Sequence, residues 1–128
     1  MTSREPKIPG PEHPITIEDT GARVIARVGS RVVADTTRAL TLREATYPPV
    51  HYIPIEDVDQ SLLATSENRT YCPYKGEASY YTVTLPDGTL SDAVWFYPQP
   101  YDAVAQIAGH LAFYTDRVEV TAQADRAR

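Results

Sequence analysis

The stretch Ala78–Gly88, ASYYTVTLPDG, decides the fold that this sequence predicts. Side chains alternate at period two from Ala78 to Leu85, which is typical of a half-buried strand. Pro86-Asp87-Gly88 then predicts a tight turn, and the apolar run 93–97 supplies the returning strand. We therefore predict a β-hairpin at the centre of a mainly β protein.

Shorter strands are predicted on both sides of this hairpin. Two β-branched runs flank Gly29-Ser30, a two-residue loop typical of a hairpin, and a closing hairpin is expected across Thr115-Asp116-Arg117. Together these patterns predict two antiparallel sheets. The additional predicted strands are 22–28, 31–34, 38–43, 50–53, 111–114 and 118–120.

Two short helices are predicted between the strands. Apolar residues recur at helical spacing from Ile55 to Leu63, Pro54 stands where a proline opens a helix, and acidic residues occupy the first turn. This pattern predicts a helix of about two to three turns. A second, briefer helix is expected over 103–108 and is ended by Gly109.

Length and composition predict one compact domain. The chain has 128 residues, 42% hydrophobic content and a net charge of −5. We expect an extended leader over 1–14, the domain over 15–122 and a polar tail over 123–128. The acidic balance argues against nucleic-acid binding. Without a long apolar run or a secretory signal, no membrane association and a cytoplasmic location are expected. The oligomeric state is not indicated.

The stretch Thr70–Tyr81 contains the only cysteine, a lysine, a glycine and four tyrosines within twelve positions. Two further aromatic groups, 47–54 and 95–101, flank it in the sequence. Aromatic side chains with polar tips suit a pocket for a small molecule, although about half of them could equally be plain core. The candidate ligand-binding residues are Tyr52, Tyr71, Tyr74, Lys75, Tyr80, Trp95 and Tyr97.

Four residues are candidates for catalysis. Cys72 is a possible nucleophile, with a small buried side chain as the alternative, and Lys75 is a possible amine or a surface cation. His110 and Glu44 are possible proton carriers, with a core histidine and a surface carboxylate as their alternatives. We expect Glu44, if buried, to pair with Lys75 or His110.

Metal and cofactor sites are not predicted. A structural zinc needs four Cys and His ligands, whereas this chain has one cysteine and three histidines without ligand spacing. Asp57-Val58-Asp59 has the spacing of a two-aspartate metal motif. Because it falls in the predicted helix, we interpret these aspartates as solvated first-turn acids.

Several motifs in one order resemble a known family. They are Glu44 with 47–54, then 56–58, then 70–76 with Ala78 and Tyr80, then 93–98 with Pro100, and finally 107–110 with Phe113 and Tyr114. From about Val24 to Val120 the chain resembles the domain-of-unknown-function family 427, which is found widely in bacteria and also in fungi.

The resemblance implies a fold more than an activity. The family is similar to β-tent or Mss4-like folds, in which two antiparallel sheets lean together, and related folds hold small ligands between their sheets. Their zinc sites use paired CxxC motifs, which this chain lacks. The family is also catalogued under a nucleotidyltransferase-like label, against which the helical position of the two aspartates argues.

Three hypotheses about function follow. The first is a small-molecule-binding domain whose aromatic pocket fixes a polar group with Lys75 and Glu44. The second is an enzyme of unknown class that uses Cys72 or Lys75 with His110 or Glu44. The third is a structural or protein-interaction domain in which the same motif shapes the core.

Overall fold

A computed structural model describes residues 5–124 of the chain. These residues form ten strands in two antiparallel sheets, which confirms the prediction of a mainly β protein. The seven-stranded sheet has the order β1-β4-β5-β9-β8-β7-β6 and the three-stranded sheet the order β10-β2-β3. The strands are β1 (Ile15–Asp19), β2 (Ala22–Val28), β3 (Arg31–Thr36), β4 (Leu40–Glu44), β5 (Val50–Pro54), β6 (Leu63–Cys72), β7 (Gly76–Leu85), β8 (Gly88–Phe96), β9 (His110–Phe113) and β10 (Glu119–Ala124).

The central hairpin is confirmed as the pairing of β7 with β8, in which Tyr80 lies opposite Trp95. The preceding turn lies beside the end of β8, where the Tyr101 N–H donates to the Lys75 carbonyl over 3.0 Å. Gly76 permits this approach, because its φ is +116° and a Cβ there would stand 3.3 Å from the Gln99 carbonyl oxygen. The 70–76 and 95–101 motifs therefore meet in space.

The two predicted helices are wrong in type. Three short 3₁₀ turns occur instead, at Ile55–Asp57, Gln60–Leu62 and Asp102–Ile107. Val58 is extended because it bridges to Ala34 of β3, which interrupts the helical pattern. The chain then enters β6, a ten-residue strand that the sequence pattern did not predict, and β6 pairs with β7.

The prediction of a closing hairpin across Thr115-Asp116-Arg117 is also wrong. Strand β9 pairs with β5 and β8 in the large sheet, whereas β10 pairs with β2 in the small one. The turn in which the Val118 N–H donates to the Tyr114 carbonyl carries the chain from one sheet to the other. Strand β10 also extends to Ala124, two residues into the segment predicted as a tail.

The ends of the chain are described in part. Residues 1–4 of the predicted leader and 125–128 of the predicted tail lie outside the described range. Within the described part of the leader, the Lys7 N–H donates to the carbonyl of Pro73, in the turn between β6 and β7, over 2.9 Å. The following strand β1, which was not predicted, pairs with β4 and makes one edge of the large sheet.

Two clusters of buried side chains occupy opposite faces of the large sheet. The aliphatic cluster lies between the sheets, and the aromatic cluster lies on the other face under the 3₁₀ turn Asp102–Ile107. Principal members of the aliphatic cluster are Val24, Val33, Ile53, Val83, Val94, Leu111 and Val118. Those of the aromatic cluster are Leu42, Tyr52, Tyr80, Tyr97, Val104 and Ile107, with Trp95 and Tyr114 packed against them.

Within residues 5–124, no helix has the length and apolar character needed to cross a membrane.

Candidate functional site

A cavity of about 530 Å³ opens in the large sheet between its β5 and β9 strands. These strands pair only at Ile53–Leu111 and Pro54–His110. Had the antiparallel register continued, Phe113 would lie opposite His51, but no such pair forms. Both residues line the cavity instead, so the opening is a gap left where two neighbouring strands separate.

The gap connects the two faces of the sheet. Tyr52, Trp95 and Tyr97 reach the cavity from the aromatic cluster, and Phe113 and Val120 reach it from the aliphatic cluster. The resemblance led us to expect a ligand space between the sheets. The cavity instead lies at the β5 and β9 strands of the larger sheet and borders the smaller one only at Val120.

Aromatic rings that contact one another form one wall of the cavity. The Tyr52 and Trp95 rings meet edge to face with centroids 6.4 Å apart, and the Trp95 and Tyr114 rings lie 4.5 Å apart. The Trp95 Nε1–H donates to the Tyr52 hydroxyl oxygen over 3.3 Å. These contacts fix the orientation of the rings, of which Trp95 and Tyr114 are partly exposed and offer apolar surface to the cavity.

A buried ion pair forms the polar wall. The Lys75 ammonium donates to Glu44 Oε1, and their side chains are only 9% and 14% exposed. The other carboxylate oxygen, Oε2, lies 2.7 Å from His13 Nε2. The expected pairing of Glu44 with Lys75 is thus present, and both residues line the cavity.

The surroundings of three ionisable side chains in the wall shift their pKa values. Burial raises the pKa of the Glu44 carboxyl, but the hydrogen bonds from Lys75 and His13 outweigh it and hold that pKa below its ordinary value. Burial, with a smaller contribution from Arg43, lowers the pKa of His51, which therefore faces the cavity uncharged at neutral pH. Burial also raises the pKa of Tyr97, so its hydroxyl stays protonated.

His13 is a member of the site that sequence reasoning missed. The register of β1 on β4 pairs Ile15 with Glu44, and this brings the end of the leader beside the carboxylate. The His13 ring also stacks on Tyr74, with centroids 4.0 Å apart and planes 6° from parallel. Nothing in the spacing of His13 along the sequence indicated this role, because it depends on the pairing of a strand that was not predicted.

Three of the predicted ligand-binding tyrosines lie away from the cavity wall. Tyr71 exchanges a hydroxyl hydrogen bond of 3.0 Å with Tyr101, and Tyr80 one of 2.7 Å with Thr70. Tyr74 stacks on His13. The predicted residues that do line the cavity are Tyr52, Lys75, Trp95 and Tyr97, together with Glu44.

Two of the predicted catalytic residues are also separated from the cavity. Cys72 is partly buried against the aromatic cluster and does not line the cavity. His110 lies at the start of β9, where its Nδ1 bonds the Ala108 carbonyl over 2.9 Å. Of the four catalytic candidates, the structure brings together only Lys75 and Glu44.

The two aspartates of the Asp57-Val58-Asp59 motif make structural contacts. Asp57 accepts a 2.6 Å hydrogen bond from the Thr36 hydroxyl and pairs with Arg38, while Asp59 accepts from Ser61. The helix in which we had placed them is absent, and each carboxylate accepts hydrogen bonds from nearby side chains. Across the described part of the chain, no three His, Cys, Asp or Glu side chains are grouped so that they could hold a metal ion.

Fold and site together define an antiparallel two-sheet protein with an aromatic cavity and a buried Lys–Glu pair in its wall. The chain belongs to the family described as "Domain of unknown function (DUF427)", whose model matches residues 16–124. This match confirms the family suggested by the sequence motifs. A comparison with curated proteins found no match.

Proposed function

We propose that the protein binds a small molecule in the cavity between β5 and β9. The observation that carries this proposal is a volume of about 530 Å³ lined by aromatic rings that contact one another and by one largely buried ion pair. Small-molecule sites typically have about 300 to 1,000 Å³, mostly apolar walls and a few fixed polar groups. The Glu44–Lys75 pair would orient a polar group, while the rings would hold the apolar body.

The energetics of the wall support a binding role over a purely structural one. Apolar side chains that line an open volume bury less surface than those in a filled core, so they contribute less to stability. A buried ion pair is likewise a weak source of stability, since both charges lose their hydration. Neither feature benefits a domain whose motif serves only to shape the core, whereas a binding site requires both an open volume and a fixed polar group.

Native mass spectrometry of freshly purified protein tests the proposal, because a retained ligand would add mass that denaturation removes. We expect the added mass in the wild type and its loss in Val50→Phe, which places a larger side chain at the cavity wall. Val32→Phe is the matched control, because Val32 is exposed on the smaller sheet and does not line the cavity.

A second measurement tests binding directly, in case the ligand is lost during purification. Ethylbenzene and acetophenone are titrated into both variants and the wild type, and binding is followed by protein NMR. Binding to wild type and Val32→Phe but not to Val50→Phe supports the proposal. Equal binding to all three proteins, or binding to none together with no retained mass, contradicts it.

A further inference from the structure

The cavity presents hydrogen-bond donors that have no acceptor in the protein. The Lys75 ammonium carries three N–H groups. Its one hydrogen bond within the described range goes to Glu44, and its other contact is the face of the Tyr97 ring, 6.0 Å from Nζ to the centroid. Two N–H groups of the Lys75 ammonium therefore have no acceptor within the described part of the protein, although the side chain is only 9% exposed.

The Tyr97 hydroxyl is a second such donor. It has no hydrogen-bond partner among residues 5–124, although Tyr97 is 6% exposed. Every fully enclosed polar side-chain atom in this range has a partner, so the hydroxyl oxygen must be accessible. Since Tyr97 lines the cavity beside the Lys75 ammonium, both donors serve the same space.

The strongest acceptors in the wall are already engaged. One Glu44 oxygen accepts from Lys75 and the other lies 2.7 Å from His13 Nε2. The Tyr52 oxygen accepts from Trp95. A ligand that offered only donors would have to displace one of these contacts, whereas a ligand with an oxygen acceptor would complete the wall without loss.

The charge of the wall distinguishes between kinds of acceptor. Glu44 already matches the charge of Lys75, so a ligand carboxylate beside Lys75 would also lie close to the Glu44 carboxylate. Two like charges repel strongly where the side chains that surround them are largely removed from water. The raised pKa values of Tyr52 and Tyr97, each caused mainly by burial with a contribution from Glu44, show that this space disfavours negative charge.

Building on the proposed function, we infer that the ligand is an uncharged carbonyl compound with a flat apolar body, whose oxygen accepts hydrogen bonds from Lys75 and Tyr97. The apolar body packs against Trp95 and Tyr114, which line the cavity and are partly exposed. The class includes ketones and amides and excludes carboxylates and amines.

Four probes with the same phenyl body test this inference: acetophenone, benzoate, 1-phenylethylamine and ethylbenzene. Each is titrated into the full chain and its dissociation constant is measured by protein NMR. We expect acetophenone to bind about ten-fold more tightly than the other three, because one well-placed hydrogen bond is worth roughly that factor.

Tyr97→Phe isolates one donor without disturbing the ion pair. The variant should weaken acetophenone binding about three- to ten-fold and leave ethylbenzene binding unchanged. Tyr101→Phe is the matched control, because the Tyr101 hydroxyl bonds Tyr71 and does not line the cavity. Acetophenone binding should be unchanged in that control.

The outcomes separate the inference from the proposal beneath it. Tightest binding by benzoate or by 1-phenylethylamine overturns the inference, as does equal binding of ethylbenzene and acetophenone, and in each case a small-molecule site remains. Unchanged acetophenone affinity in Tyr97→Phe also overturns it. If none of the four probes binds, the inference fails, and the proposed function fails with it when native mass spectrometry also finds no retained mass.

Discussion

Ile53 and Tyr52 are neighbours on β5, yet they belong to two different regions of the molecule. Ile53 points into the aliphatic cluster between the sheets and is completely buried. Tyr52 points into the aromatic cluster on the other face and reaches the cavity. The first region is filled with side chains that only pack, whereas the second contains polar tips and open volume. One strand thus separates the contacts that hold the fold from those of the candidate site.

The largest expected effect is on the filled side of this comparison. Ile53→Ala should lower the free energy of unfolding by about 2 to 5 kcal/mol, because it removes buried methyl groups and leaves a cavity. Tyr52→Phe, the matched variant on the next residue, should cost only about 0.5 to 1.5 kcal/mol through its hydrogen bond with Trp95. Urea unfolding measures both, and a larger loss in Tyr52→Phe would reverse the assignment of the two regions.

The ion pair between Lys75 and Glu44 sharpens the comparison, because breaking this contact of the candidate site should also lower stability. Lys75→Met should lower the free energy of unfolding by about 1 to 3 kcal/mol, since it leaves the Glu44 carboxylate without one of its two partners. The double variant Lys75→Met/Glu44→Gln should recover part of that loss, as both charges are then removed. Losses that simply add would show that the two side chains do not interact in solution.

A smaller effect concerns pH. The pKa of Glu44 in the folded protein lies below its ordinary value of 4.5, so its contribution to stability is present above that value. The contribution disappears as the pH falls through the lowered, folded-state pKa. Glu44→Gln lacks it at every pH. Wild type should therefore be the more stable protein at neutral pH, with the difference shrinking below about pH 4.5.

Urea unfolding of both proteins between pH 3 and pH 7 checks this sign. The Asp35 carboxyl, whose pKa the Arg23 hydrogen bond lowers, is common to both proteins and cancels in the comparison. A stability difference that stayed constant over this pH range would mean that Glu44 gains nothing from its charged partners.

The sequence predicted the features that local patterns encode. The β7–β8 hairpin follows from alternation and a turn within Ala78–Gly88. For Glu44 the sequence left two partners open, Lys75 and His110, and the structure has Lys75. The helix at 55–63 failed because Val58 bridges to Ala34, a contact between residues distant in sequence. Local periodicity carries no information about such a partner.

The site shows the same limit. Trp95 and Tyr97 were candidates because they belong to the 95–101 aromatic group, and both line the cavity. His13 was missed because its place depends on the register of β1 against β4. The cavity itself was predicted only as a possibility, since no sequence pattern marks the point where β5 and β9 stop pairing.

The most direct test of the account uses the only tryptophan in the chain. Trp95 lines the cavity, so ¹⁵N-labelled protein has a single indole cross-peak that reports on the site. On titration with acetophenone, we predict a saturable shift of this cross-peak and no comparable shift of the Val33 amide in the aliphatic cluster. An indole cross-peak that neither acetophenone nor any of the other three probes moves, or an equal shift at Val33, would contradict the claim that the cavity is a small-molecule site.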